Sequence, residues 1–106
     1  MNILVIAAHP DDEVLGMGGT IKKLSKKNKI HLCVVTEGAS AQYEDKKMID
    51  ERKKSCIKCG KILGINTFDF LNFKDMTLNF HNELEINQAL EKMIQKYKPH
   101  IIYTTS

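Results

Sequence analysis

Ile3, Leu4, Val5, Ile6, Ala7 and Ala8 form a continuous apolar run rich in β-branched side chains. A run of this kind suits a strand covered on both faces, as in parallel sheets, because a half-exposed strand alternates apolar with polar residues. Residues 30–36 read the same way. Between the two runs Val14, Leu15, Ile21 and Leu24 recur at helical spacing beside Lys22, Lys23, Lys26 and Lys27, and Asn28 supplies a stop. Strand, helix and strand make one βαβ unit, for which a right-handed crossover is expected.

The pattern continues. Ile49, Cys56, Cys59 and Leu63 lie on one helical stripe within residues 46–63, Arg52 completes that stripe at its middle, and Gly64 marks the C-terminal cap. Residues 67–71 predict a third strand. After a polar loop, Ile86, Leu90, Met93, Ile94 and Tyr97 predict a helix that stops before Pro99, and residues 100–104 begin a fourth strand. Strands alternating with helices at this spacing predict an α/β fold, a Rossmann-like open parallel sheet with flanking helices. The last strand has no following helix to cover it, so the fold is expected to be cut short after that strand, with its edge open to self-association or to a complementing segment.

Composition narrows the possibilities further. The chain has 106 residues, 42% hydrophobic and 27% charged, which bounds it to one domain and excludes disorder as its main state. Sixteen Lys and Arg against thirteen Asp and Glu leave a formal charge of +3, spread too evenly to require nucleic acid or an acidic membrane. Three cysteines, Cys33, Cys56 and Cys59, argue against a disulfide framework and for a reducing compartment, so a cytoplasmic protein is expected. The first apolar run has no basic residues before it and meets Asp11, Asp12 and Glu13 directly, unlike a secretory signal, and no run approaches transmembrane length.

Ligands of open α/β sheets collect outside the carboxyl ends of the strands. Four segments therefore face one site: residues 8–13, 36–38, 72–75 and 104–106. The first is the richest chemically, because His9, Asp11 and Asp12 offer an imidazole and carboxylates on one turn, as hard or borderline metal ligands. If His9 and Asp12 bind an ion, Pro10 stiffens the turn between them and Asp11 stands ready to take a proton from a bound water. Residue types alone equally allow three acids that merely occupy the first turn of a helix, where the dipole favours them.

Other features carry less. Gly16, Gly18 and Gly19 do not fit a dinucleotide loop, since three carboxylates stand where a pyrophosphate would sit, and close helix packing is the expected reason for them. Cys56 and Cys59 have CxxC spacing but lie within a helix with no second pair, so both are expected to be buried core thiols. The lysines at 22, 23, 26, 27 and 29 read as a solvated helix end. Arg52 is different, because an arginine inside an apolar stripe is costly unless its guanidinium finds acceptors. His31 and His100 begin strands and so lie at the far edge of the sheet, roughly 15 Å from the site at ~3.3 Å per residue. His81 is expected in a loop on the near side.

The run Ala8-His9-Pro10-Asp11-Asp12-Glu13 followed by Gly16-Met17-Gly18-Gly19-Thr20 resembles the signature of the PIG-L/LmbE-like zinc-dependent N-acetylglucosaminyl de-N-acetylases. The resemblance extends through Thr36-Glu37-Gly38, Arg52, Leu63-Gly64-Ile65, the stretch from Phe70 to Met76 and the stretch from Lys98 to Thr104. It implies that residues 1–106 are the N-terminal part of a single domain of that type, with Zn2+ as cofactor and an amino-sugar conjugate as substrate. It also implies metal ligands His9 and Asp12, Asp11 as general base, and Arg52 and Asp75 in contact with the sugar. In that family a further motif beyond the fourth strand supplies the third zinc ligand and a second histidine, and this sequence contains no counterpart. His81 is the one local substitute. Departures from the pattern are Asn72 and Lys74, where Asp and Pro are common, and His100, where Asp is usual.

Two other classes share parts of this pattern. A non-catalytic fragment or half of a split enzyme would keep the fold without turnover. A receiver-like signalling module also pairs acids after a strand, yet it has no role for His9 and Pro10 and needs an aspartate ending the third strand, where Asp69 is internal and Asp75 lies beyond.

Overall fold

In a computed structural model of the chain, the described backbone comprises residues 1–9, 12–36, 46–73 and 80–104, and the described side chains residues 1–9, 17–36, 46–73 and 83–104. The elements are β1 (Asn2–Ala7), α1 (Asp12–Ser25), β2 (Lys29–Thr36), α2 (Lys46–Leu63), β3 (Thr67–Phe73), α3 (Phe80–Tyr97) and β4 (Ile101–Thr104). All strand pairs are parallel, in the order β3-β2-β1-β4. This is the α/β, Rossmann-like open sheet expected from the alternation of strand and helix. Consecutive strands step outward from β1 to β3, and then α3 returns the chain to the other side of β1. The reversal creates a switch point between β1 and β4.

The two faces of the sheet follow the period-two alternation of side chains. Ile3, Val5 and Ala7 of β1 and Ile30, Leu32 and Val34 of β2 are buried in one cluster with Ile21, Cys56 and Ile65, on the face where α1 packs beside α2. Leu4, His31, Cys33 and Val35 are buried on the other face, against which α3 lies. Double coverage is why β1 and β2 carry almost no polar residues. The outer strand is less covered: Ile101 and Ile102 of β4 are 37% and 43% exposed.

The helix ends are built from identifiable caps. Asn28 donates its amide to the Leu24 carbonyl at 2.9 Å, closing α1. At the end of α2 the Gly64 N–H bonds the Lys61 carbonyl at 3.1 Å and the Ile65 N–H bonds the Gly60 carbonyl at 2.9 Å, a Schellman pair. Gly64 adopts φ +96°, which a β-carbon disfavours. Gly60 is needed for a different reason: a β-carbon there would overlap the Phe68 ring.

Several expectations need correction. β3 runs to Phe73, two residues beyond the predicted end. It does so through an irregular register, in which Val34 pairs with Phe70 but Thr36 with Phe73, and Asn72 takes up the extra residue at φ 63°. His81 is in the first turn of α3 and not in a loop, because that helix begins well before its first apolar stripe residue. Cys59 is only half-buried, unlike Cys33 and Cys56. Gly18 and Gly19 have no described atom within 4 Å of where a β-carbon would stand.

The amino edge of the sheet is a polar structural cluster. His31 is 7% exposed; its Nδ1 lies 2.7 Å from Thr67 Oγ1 and its Nε2 3.3 Å from Asn2 Oδ1. The imidazole stacks on Tyr97 at 4.0 Å between centroids. The Tyr97 hydroxyl donates to Asp69, which also pairs with Lys96 at 3.3 Å. Burial holds the His31 imidazole below its ordinary value near 6.5, with Asp69 opposing and Lys29 and Lys96 reinforcing the shift. The unfolded chain therefore takes up this proton more readily than the fold does. The His31 contribution to stability is complete above about pH 6.5 and declines as the pH falls below it. The midpoint of thermal unfolding should fall between pH 7 and pH 5, with a shallower fall in His31→Gln. An equal slope in the two proteins would show that His31 does not carry the effect.

Candidate active site

The carboxyl edge of the sheet has a different character. β1 ends at Ala7, and Ala8 and His9 leave the strand beside the switch point. His9 is exposed there, and α1 starts three residues later at Asp12. The strand end, the imidazole and the helix N-terminus are thus brought to one place within a few residues. The helix dipole adds positive potential where Asp12 and Glu13 stand in the sequence. Asp11 and Asp75 lie outside the described residues, as do the side chains of Asp12 and His81.

The exit of β1 is firmly held. The Ala8 carbonyl accepts the Thr36 N–H at 2.9 Å and the Thr36 hydroxyl at 2.7 Å, and Thr36 itself is 3% exposed. In the sequence Thr36 stands at the site only as part of the segment 36–38, with no role of its own. The available signal was a hydroxyl residue closing an apolar strand. On the far side of Thr36, Asn72 donates its side-chain amide to the Phe70 carbonyl at 3.2 Å, bracing the irregular end of β3. An asparagine inside a strand pattern was the signal for that left-handed residue.

Arg52 is half-buried on α2. Cys56 and Gly60 are the buried residues of this helix, and Arg52 precedes them on the same i, i+4, i+8 row. It therefore stands one turn, about 6 Å, nearer the carboxyl edge than Cys56. That is the end of the helix from which a long cationic side chain can serve the site. His81, in the first turn of α3, also falls at this end, since α3 follows the carboxyl end of β3. Among the described residues no three His, Cys, Asp or Glu side chains are grouped to hold an ion.

The remaining chemistry-bearing residues stand apart from the site. His31 is engaged at the amino edge, and His100 lies there too, with its N–H on the Asn2 carbonyl at 2.8 Å. An open groove of about 510 Å³ at that same edge is lined by Met1, Asn2, Lys26, Lys27, Lys29 and His100 among others, which places the lysine cluster far from the switch point. Burial pushes the Cys33 thiol up to about 12, so it stays protonated and inert. No described helix is long and apolar enough to cross a membrane.

Comparison with known proteins bears on this geometry. Residues 4–106 match the family described as PIG-L, GlcNAc-PI de-N-acetylase. The diacetylchitobiose deacetylase of Thermococcus kodakarensis is 28% identical, over 94% of this chain and 39% of its own length. A probable N-acetyl-alpha-D-glucosaminyl L-malate deacetylase 2 of Bacillus subtilis is 30% identical, over 97% of this chain and 50% of its own length. The solved structure of N,N'-diacetylchitobiose deacetylase from Pyrococcus horikoshii, complexed with its inhibitor MPG, superposes with a TM-score of 0.81 at 31% identity, over 95% of this chain and 39% of that one. The chain thus spans between 39% and 50% of the length of these relatives.

The position of Arg52 yields a stability test. Met fills the same helical stripe without needing acceptors, so Arg52→Met should leave the free energy of unfolding within about 1 kcal/mol of the parent. A much larger loss would identify Arg52 as a structural ion-pair partner and remove it from the site.

Proposed function

This chain belongs to the PIG-L family, and on that footing we propose that it carries the base and two metal ligands of a zinc-dependent hydrolase acting on an N-acetylglucosamine-type conjugate. In this reading residues 1–106 are the N-terminal part of a single de-N-acetylase domain. The observation that carries the proposal is the placement of His9 and the start of α1 together at the switch point of the sheet, beside a strand exit held by two hydrogen bonds. The deacetylase names of the relatives, two of them for diacetylchitobiose and one for a GlcNAc-malate conjugate, support the substrate class.

The donor chemistry fits zinc. An imidazole and a carboxylate are among its ordinary ligands, and an exposed His9 leaves the position open to a substrate. His9 and Asp12 are the residues assigned to hold the ion, which when bound lowers the pKa of water and polarises a carbonyl. Asp11 takes the proton of the attacking water and returns it to the amine as the amide C–N bond breaks, so that acetate and a free amino sugar leave. Arg52 and Asp75 orient the sugar through its hydroxyls. His81 is the candidate for a further ligand within this chain. The small, odd number of cysteines supports a reducing, cytoplasmic setting.

Catalytic zinc sites use three protein ligands, so His9 and Asp12 alone should bind zinc weakly, and calorimetric titration of the chain measures this. Asp11→Asn should keep the zinc affinity within about twofold, because a base that does not bind the metal can be removed without opening the coordination sphere, whereas His9→Ala should abolish binding. Equal loss in both variants would overturn the assignment of roles. Tight stoichiometric zinc that survives a mild chelator and is lost in His81→Ala would make His81 the third ligand.

A further inference from the structure

Two donors of one buried residue converge on a single acceptor at the edge of the site. The N–H and the hydroxyl of Thr36 both bond the Ala8 carbonyl, at 2.9 Å and 2.7 Å. The N–H bond continues the parallel ladder, which pairs β1 with β2 through Ala7 and Val34. The hydroxyl bond is additional to that ladder.

The acceptor is the oxygen of the peptide that joins Ala8 to His9. A peptide unit is planar, so fixing the direction of its oxygen also fixes the position and direction of the His9 nitrogen. The residue after His9 is a proline, which by its ring restricts the backbone of the residue before it. His9 is thus constrained from the strand side by Thr36 and from the other side by covalent chemistry.

Thr36 is itself well anchored for this task. It is 3% exposed, and on its other side the register of β3 resets at Thr36, where β2 advances two residues, from Val34 to Thr36, while β3 advances three, from Phe70 to Phe73. Bulges of this kind re-aim strand ends near functional sites. Here the bulge leaves the β2 end paired to both of its neighbours up to its final residue.

We propose that Thr36 is a positioning residue for His9, its hydroxyl orienting the Ala8–His9 peptide so that the imidazole is presented at the switch point. The proposal rests on the metal-ligand reading of His9 for its consequence in zinc binding, but not for its consequence in the geometry of His9.

The test compares Thr36→Val and Thr36→Ser in the full chain. Valine keeps the shape, the β-branch and the backbone bond while removing the hydroxyl, and serine restores the hydroxyl. NMR of the His9 amide and ring reports its local order, and calorimetric titration with zinc alone reports affinity. In Thr36→Val the His9 signals should shift or broaden by exchange, and the zinc dissociation constant should rise about fivefold, the effect of losing one ordinary hydrogen bond. The unfolding midpoint should stay within a few degrees of the parent. Thr36→Ser should return both readouts to the parental values. Unchanged His9 signals in Thr36→Val, failure of serine to restore them, or changes that merely track a general loss of stability would each overturn the proposal. If the parent chain binds no zinc, the metal reading fails and the His9 signals alone decide the role of Thr36.

Discussion

Parallel pairing of β1 on both of its sides is the constraint from which the rest of the molecule follows. β1 is hydrogen-bonded to β2 along Asn2 to Ala7 and to β4 along Ile3 to Ile6, so its backbone donors and acceptors are consumed within the sheet. Helices lie on both faces. A strand enclosed in this way has no place for a functional side chain along its length, because any polar group there would need a buried partner. Chemistry is therefore displaced to the ends of the strands, where the backbone leaves the ladder.

The two ends are used differently. At the amino end polar side chains satisfy one another: Asn2, His31, Thr67, Asp69, Lys96 and Tyr97 form a connected cluster of hydrogen bonds and ring stacking. That cluster ties the starts of β1, β2 and β3 to the last turn of α3. At the carboxyl end His9 is exposed, and the backbone leading to it is held through the Ala8 carbonyl, beside the irregular end of β3. His31 is closed into a network at one end of the sheet, whereas His9 is exposed at the other. The region that matches the PIG-L family contains the His9 segment.

The arginine on α2 illustrates how a position in a pattern becomes a position in space. Its place in an apolar stripe marked it as unusual. The helix geometry adds that it lies on the buried row and nearer the site than Cys56. The nearby cysteines show the reverse, for CxxC spacing placed them three residues apart on one helix, where one is buried and the other half-buried.

Much of the architecture was legible in the chain because it is encoded over short distances. Continuous β-branched runs specify strands buried on both faces, a stripe from Ile49 to Leu63 specifies α2, and Gly64 specifies its cap, since each depends on a few neighbouring residues. The clustering of His9, Asp11 and Asp12 after the first strand was legible for the same reason. The tertiary structure decided what depends on distant partners. The order β3-β2-β1-β4, and with it the switch point beside His9, follows from which strands meet across the sheet. The extension of β3 to Phe73 follows from pairing with Thr36. The burial of His31 depends on Tyr97 sixty-six positions away, and the clamp on Ala8 on a hydroxyl twenty-eight positions away. No local propensity contains these contacts, because a strand's pattern shows that its faces are covered without showing by what.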